Sequence, residues 1–293
     1  MATRTYDSPP SVLPMYAKAV APAVPGLSLL PGVRRGGKDL PDLELAQPGV
    51  RIDGDRLAAY NEVCGFGLRD EIPATYPHIL AFPLHMALMT DGSFPFAPMG
   101  LVHVANRISQ PRPIRSAETL DLRVRAENLR PHPKGRQFDI VSEASVDGEV
   151  VWRGVSTMLR RGGGGDSGDG KGQAREERPI PTGATRWRLA GDLGRRYAAV
   201  SGDRNPIHLY GATAKAFGFP RQIAHGMWSK ARSLAALQPR LPKAFEVDVE
   251  FKKPILLPAT VAFGAQPTGS GIDFGLTDAK KGTPHLVGSA RPL

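Results

Sequence analysis

Between Tyr197 and His208 the sequence reads YAAVSGDRNPIH, which gathers an acid, an amide and an imidazole, Asp203, Asn205 and His208, into one short stretch. An acid and an imidazole that meet around one water molecule share its protons, the minimum requirement for general acid–base chemistry near neutral pH. Pro206 disfavours an α conformation at Asn205, so the stretch is expected to be irregular and to aim side chains into a cavity. The plainer reading is a turn shaped by Asp203 and Asn205, with His208 packed in a core. A second segment, FPRQIAHGMWSK at 219–230, weighs against it. Gly226 falls near the start of a long apolar helix predicted from about His225 to Pro239, where backbone N–H groups lack intrahelical partners and the helix dipole is positive. Glycine lets a substrate oxygen approach such a terminus closely. Charge developing on a carbonyl oxygen there is stabilised, typically by ~3 kcal/mol per donor. His225 reads as a packing histidine, because His208 already supplies the titrating group.

The elements that hold these residues follow from periodicity. In WRLAGDLGRRYAAV the apolar positions Leu189, Leu193, Tyr197 and Val200 have helical spacing. GATAKAFG predicts a short helix stopped by Gly218. After the long helix come EVDVEF, TVAFGAQ, IDFGLTD and HLVGSA, strand-like runs joined by Gly and Pro turns as in an antiparallel meander. One long helix followed by about four strands predicts an α+β domain in which a curved sheet wraps the helix. A faint repeat extends this plan to the first half. FPRQIAHGMWSK and Pro254 match YPHILAFPLHMA and Pro111 at an offset of 143, while YAAVSG matches YNEVCG at an offset of 137. A repeat this long means two copies of one domain. At these offsets Phe66 stands opposite Asp203, Leu68 opposite Asn205, Glu71 opposite His208 and Pro83 opposite Gly226, so the first copy carries no site.

The 293 residues, 41% of them hydrophobic, suffice for two domains. Residues 1–159 form the first, with an extended N-terminal arm broken by prolines; 160–178, glycine-rich and polar, read as a flexible linker rather than an RNA-binding tail; 179–293 form the second. No apolar run reaches the ~18 residues of a membrane span. The single cysteine, Cys64, excludes an internal disulfide and fits a reducing cytoplasm. The seven histidines show no HxxxH or HExxH spacing, so no metal is expected. Charge is uneven: residues 1–159 carry 17 Lys+Arg against 17 Asp+Glu, residues 179–293 carry 16 against 7. The basic second half calls for an anionic partner, and no nucleic-acid fingerprint accompanies the charge.

The run SGDRNPIH followed by FGFPRQIAHGM resembles the signature of the MaoC-like (R)-specific enoyl-CoA hydratases, which are hot-dog-fold enzymes. The resemblance is dense over 197–232. It implies that Asp203 and His208 hold the catalytic water, that Asn205 supports them by hydrogen bonding, and that the Gly226 N–H meets the thioester oxygen. The whole-chain plan, a double hot-dog with one degenerate copy, resembles single-chain 3-hydroxyacyl-thioester dehydratases of actinobacteria and peroxisomal hydratases of eukaryotes. It departs from the family at Pro258-Ala259, where Pro-Gly is common. The implied reaction is hydration of a trans-2-enoyl thioester, or its reverse, with no cofactor and with coenzyme A or an acidic acyl carrier protein as carrier. Arg221, Lys230, Lys252 and Lys253 are expected to meet the carrier's negative charge, the alternative for each being a solvated surface position. The degenerate half is expected to house the acyl tail, and the two halves to form an internal pseudo-dimer, with a homodimer of the whole chain left open. A hot-dog thioesterase and a non-catalytic acyl-thioester-binding protein remain as rival readings.

Overall fold

Two runs of sequence with the same alternation build the same unit twice in the computed structural model, which describes residues 1–20, 38–162 and 179–293. The first unit comprises β2 (Leu43–Val50), α2 (Gly54–Cys64), α3 (Tyr76–Met89), β3 (Leu101–Gln110), β4 (Leu120–His132), β5 (Gly135–Val146) and β6 (Glu149–Arg161). The second comprises β7 (Thr185–Leu189), α4 (Leu193–Ser201), α5 (Pro206–Leu209), α6 (Gly211–Ala216), α7 (Gly226–Leu237), β8 (Phe245–Phe251), β9 (Ala259–Thr268), β10 (Gly271–Asp278) and β11 (Pro284–Pro292). Ahead of both lie β1 (Ala2–Thr5) and α1 (Val12–Val20). All the strands among the described residues join one sheet in the order β1-β2-β4-β5-β6-β3-β8-β11-β10-β9-β7. Reading outward from the centre, each half repeats the other's order, which is the double hot-dog the sequence predicts.

The central pair, β3 with β8, is antiparallel, and Asn106 sits opposite Val249, 143 residues further along the chain. That separation equals the offset of the sequence repeat, so equivalent residues of the two copies face each other on a pseudo-twofold axis. Each half wraps a helix. α3 buries every residue but Phe82, and α7 buries Met227, Trp228, Ala231, Leu234 and Leu237 at helical spacing. Cross-half contacts tie the layers: Trp228 Nε1 donates to the Val63 carbonyl at 3.0 Å, and the Tyr60 and Tyr197 rings lie 6.2 Å apart.

Several expectations change. The N-terminal arm is not simply extended: β1 pairs in parallel with β2, and α1 packs against α3. Leu189 ends strand β7 instead of opening a helix, since Ala190–Asp192 turn the chain before α4. Strand β6 continues through Arg161, into the segment assigned to the linker, because its pairing with β5 persists to Gly135. The rest of that segment, from 163 to 178, lies outside the described residues. The stretch expected to be irregular is so through residues 202–205, where Asn205 takes the φ −56, ψ 124 that a following proline favours, but Pro206 then opens the one-turn helix α5.

Lys230 is the clearest correction. It was expected to meet a carrier's charge, but it is fully buried on α7. Its Nζ donates to the Asn106 carbonyl at 3.0 Å, to Asn106 Oδ1 at 2.6 Å and to the Val247 carbonyl at 3.2 Å. Three donors meet three acceptors at the seam between the halves, and no path leads to a phosphate in solvent. Replacing Lys230 with Met strands those acceptors in the interior. Each stranded group costs ~1–3 kcal/mol, so Tm in a thermal melt should fall by about 5 °C or more. An unchanged Tm would show that the contacts carry no net stability.

Candidate active site

Helix α4 ends at Gly202, which adopts φ +81 and turns the chain so that Asp203 leaves the helix end. Asn205 then caps α5 by accepting a hydrogen bond from the Ile207 N–H, and α5 carries His208 into the interior. His208 Nδ1 donates to the Ile223 carbonyl at 2.8 Å, since a carbonyl only accepts, and Nε2 is left with its lone pair. Asp203 Oδ1 accepts from the Asn205 N–H at 3.1 Å. The next segment brings His225 Nε2 to the Asp203 carbonyl at 3.0 Å, and the His225 ring stacks on His208 with centroids 3.7 Å apart. His225 thus holds the Asp203 turn in place. It is also the N-cap of α7 but offers no side-chain cap, so the helix opens at Gly226 with its first N–H groups uncapped by a side chain. A Cβ on Gly226 would approach the Phe251 ring at 3.1 Å. Asp203, Asn205, His208 and Gly226 all line one cavity of about 450 Å³.

Burial opposes ionisation of Asp203, but His225, His208, the Tyr16 hydroxyl and the Asn205 N–H outweigh it and hold the carboxyl below its ordinary value. Burial likewise lowers His208, against a partial pull upward from Asp203. The resting pair is therefore carboxylate and neutral imidazole. Asp203, His208 and His225 each bring a potential ligand atom within 4.8 Å of the others. The two imidazole planes are 27° from parallel, and one nitrogen of each ring already meets a backbone carbonyl, His208 Nδ1 that of Ile223 and His225 Nε2 that of Asp203.

A profile of the MaoC like domain matches residues 173–287. Over 254 residues, 87% of this chain and 91% of the relative, the sequence is 41% identical to 3-hydroxyacyl-thioester dehydratase X of Mycobacterium tuberculosis. The chain belongs to the MaoC-like dehydratase family. Within that family, the crystal structure of the same mycobacterial dehydratase, HtdX, superposes with a TM-score of 0.75 at 40% identity, covering 85% of this chain and 100% of that one. A second M. tuberculosis relative, enoyl-CoA hydratase ChsH3, is 27% identical over 220 residues, 67% of this chain and 70% of its own length.

Placed on this MaoC-like frame, the expected basic residues separate. Lys252 and Lys253 are exposed and line the cavity, with Lys252 paired to Glu250 at 2.6 Å. Arg221 is exposed but stands outside the described cavity wall, while Arg161, assigned to the linker by sequence, lines it. In the first half Glu71 and Leu68 are exposed, and Pro83 lies inside α3. Sequence reading missed Tyr16. This residue of α1 donates its hydroxyl to Asp203 Oδ1 at 2.8 Å across 187 positions of sequence, and no local motif announces such a contact. Replacing Tyr16 with Phe removes a donor from the carboxylate, so the Asp203 pKa should rise toward its ordinary value, as followed by carboxyl-carbon NMR. An unmoved Asp203 titration would mean that the hydroxyl does not stabilise the anion.

Proposed function

We propose that this protein catalyses the reversible hydration of trans-2-enoyl thioesters to (3R)-hydroxyacyl thioesters, with coenzyme A or an acyl carrier protein as the carrier. The observation that carries this reading is the meeting of Asp203, His208 and the N-terminus of α7 at Gly226 on one cavity wall. Its support from relatives lies in proteins named as a 3-hydroxyacyl-thioester dehydratase and an enoyl-CoA hydratase. The (3R) outcome rests on the family resemblance of the SGDRNPIH and AHGM segments.

In the hydration direction the thioester carbonyl accepts a hydrogen bond from the Gly226 N–H, which draws electron density from the α,β double bond. A water held between Asp203 and His208 gives one proton to the pair while its oxygen bonds to the β-carbon. The α-carbon then takes one proton from the pair. One proton in and one out leaves the site as it began, and dehydration runs the same steps backward. Asp203 and His208 act as one coupled unit through the water, so neither is assigned alone as base. Asn205 orders the loop through its cap on α5 and its own N–H on Asp203. No cofactor enters the scheme. Lys252, Lys253 and Arg161 suit the negative charge of a coenzyme A or carrier-protein arm.

The deciding assay follows loss of enoyl absorbance together with free thiol. Hydration consumes the enoyl group without releasing thiol; thiol release would identify a thioesterase, and neither change would identify a binding protein. Asp203→Asn and His208→Ala should each lower turnover by ~10²–10⁴-fold without unfolding the chain. Glu71→Gln, at the position opposite His208 in the degenerate half, should stay within a few-fold of the parent, and a large loss there would place chemistry in that half.

The pH profile has a determined sign. A lowered His208 pKa keeps the imidazole neutral further into acid, so kcat/KM should stay level through neutrality and fall only below the ordinary imidazole value of 6.5. An acid limb centred above that value would contradict the working charge state.

A further inference from the structure

The part of the cavity supplied by the degenerate half is not uniformly apolar. Ile79, Phe82, Met89, Met99 and Ile140 line it, as an alkyl tail requires, but so do His78, His85 and His103. The three imidazoles come from α3 and β3 and sit close together, His78 at 5.1 Å from His85 and 6.2 Å from His103 between ring centroids. Nothing in the proposed reaction uses them. His85 Nε2 is paired with Ser142 Oγ at 2.6 Å, whereas His103 Nε2 is buried with no partner. The His103 ring lies 5.0 Å from that of Phe251, the side chain that faces Gly226, so the cluster begins one ring beyond the thioester position. Behind it, Asn106 donates to Ser156, another lining residue, at 3.1 Å.

Burial lowers His85 to about 3 and His103 to about 4, and it takes His78 well below its ordinary value; all three are neutral at physiological pH. Neutral imidazoles do not select a carboxylate as a cation would. Each offers one N–H and one lone pair, and a group that both donates and accepts satisfies either tautomer of His103. A plain hydrocarbon tail would instead seal that nitrogen away from any partner.

Resting on the hydration reading above, we propose that His78, His85 and His103 form a polar subsite for a hydroxyl group carried by the substrate's acyl chain beyond its reacting carbons. The preferred substrates are then hydroxylated enoyl thioesters rather than plain ones. Sites built to hydrogen-bond a hydroxyl discriminate strongly against the analogue that lacks it.

The test uses the full chain, crotonyl-CoA, plain trans-2-enoyl-CoAs of medium length, and the same chains with one hydroxyl, keto or carboxyl group moved stepwise from mid-chain to the end. Turnover of crotonyl-CoA, which has a single methyl beyond its reacting carbons and no hydroxyl to recognise, reports on the hydration reading separately; its failure would defeat that reading itself. With hydration established, one hydroxyl position should raise kcat/KM about tenfold or more over the plain chain. His103→Leu should bring that ratio to about one, and His103→Gln, which keeps a donor and an acceptor, should restore part of it. His78→Leu gives the same ratio test if the first variant fails to fold. The proposal is overturned if no hydroxylated chain exceeds its plain counterpart, if keto or carboxyl groups are preferred at every position, or if the hydroxyl advantage survives both leucine substitutions.

Discussion

Antiparallel pairing of β3 with β8 is the constraint from which the site follows. It fuses two curved sheets into one and sets equivalent residues of the two copies across a pseudo-twofold axis at Asn106 and Val249. A single unit of this kind would leave a sheet edge and an apolar face in water. Fused, each half covers the other, and the cavity beside the Asp203–His208 turn gains a wall that the second half cannot supply itself. Lys230 spans this seam from α7 to the first half's β3 and the second half's β8. Its position shows how basic composition misleads: the same residue type that docks phosphate on a surface serves here as a buried cross-link.

Duplication would create two like sets of residues, but Asp203, Asn205, His208 and Gly226 have no counterparts in the first copy. Helix α7 begins at Gly226, where its uncapped N–H groups meet the cavity, while α3 begins seven residues earlier relative to the repeat and carries Pro83 inside its span. Proline has no N–H, and a helix interior has none to spare. Glu71 and Leu68 point to solvent in place of His208 and Asn205. The first half thus lacks counterparts of these residues, and it contributes part of the cavity wall from α3, β3 and β5. The N-terminal segment adds to the surviving site as well, through the hydroxyl that Tyr16 places on Asp203.

Much of this was legible in the sequence because it is local. The α7 helix, the β8–β11 meander, the Asp203–His208 turn and the missing N–H at Pro83 each depend on residues within one or two elements, where spacing, proline geometry and helix termini dictate the outcome. The repeat was legible too, while the strand pairing at its twofold axis emerged only in the structure. Tertiary structure decided what depends on distant segments meeting. Tyr16 reaches Asp203 from the far end of the chain, the histidines of α3 and β3 converge only once the sheets fuse, and burial, which no composition reveals, moved the Lys230 amine from the expected surface into the interior. Short-range order follows from local torsional preferences and periodicity, whereas burial and long-range contact are properties of the packed whole and exist only after the chain has closed on itself.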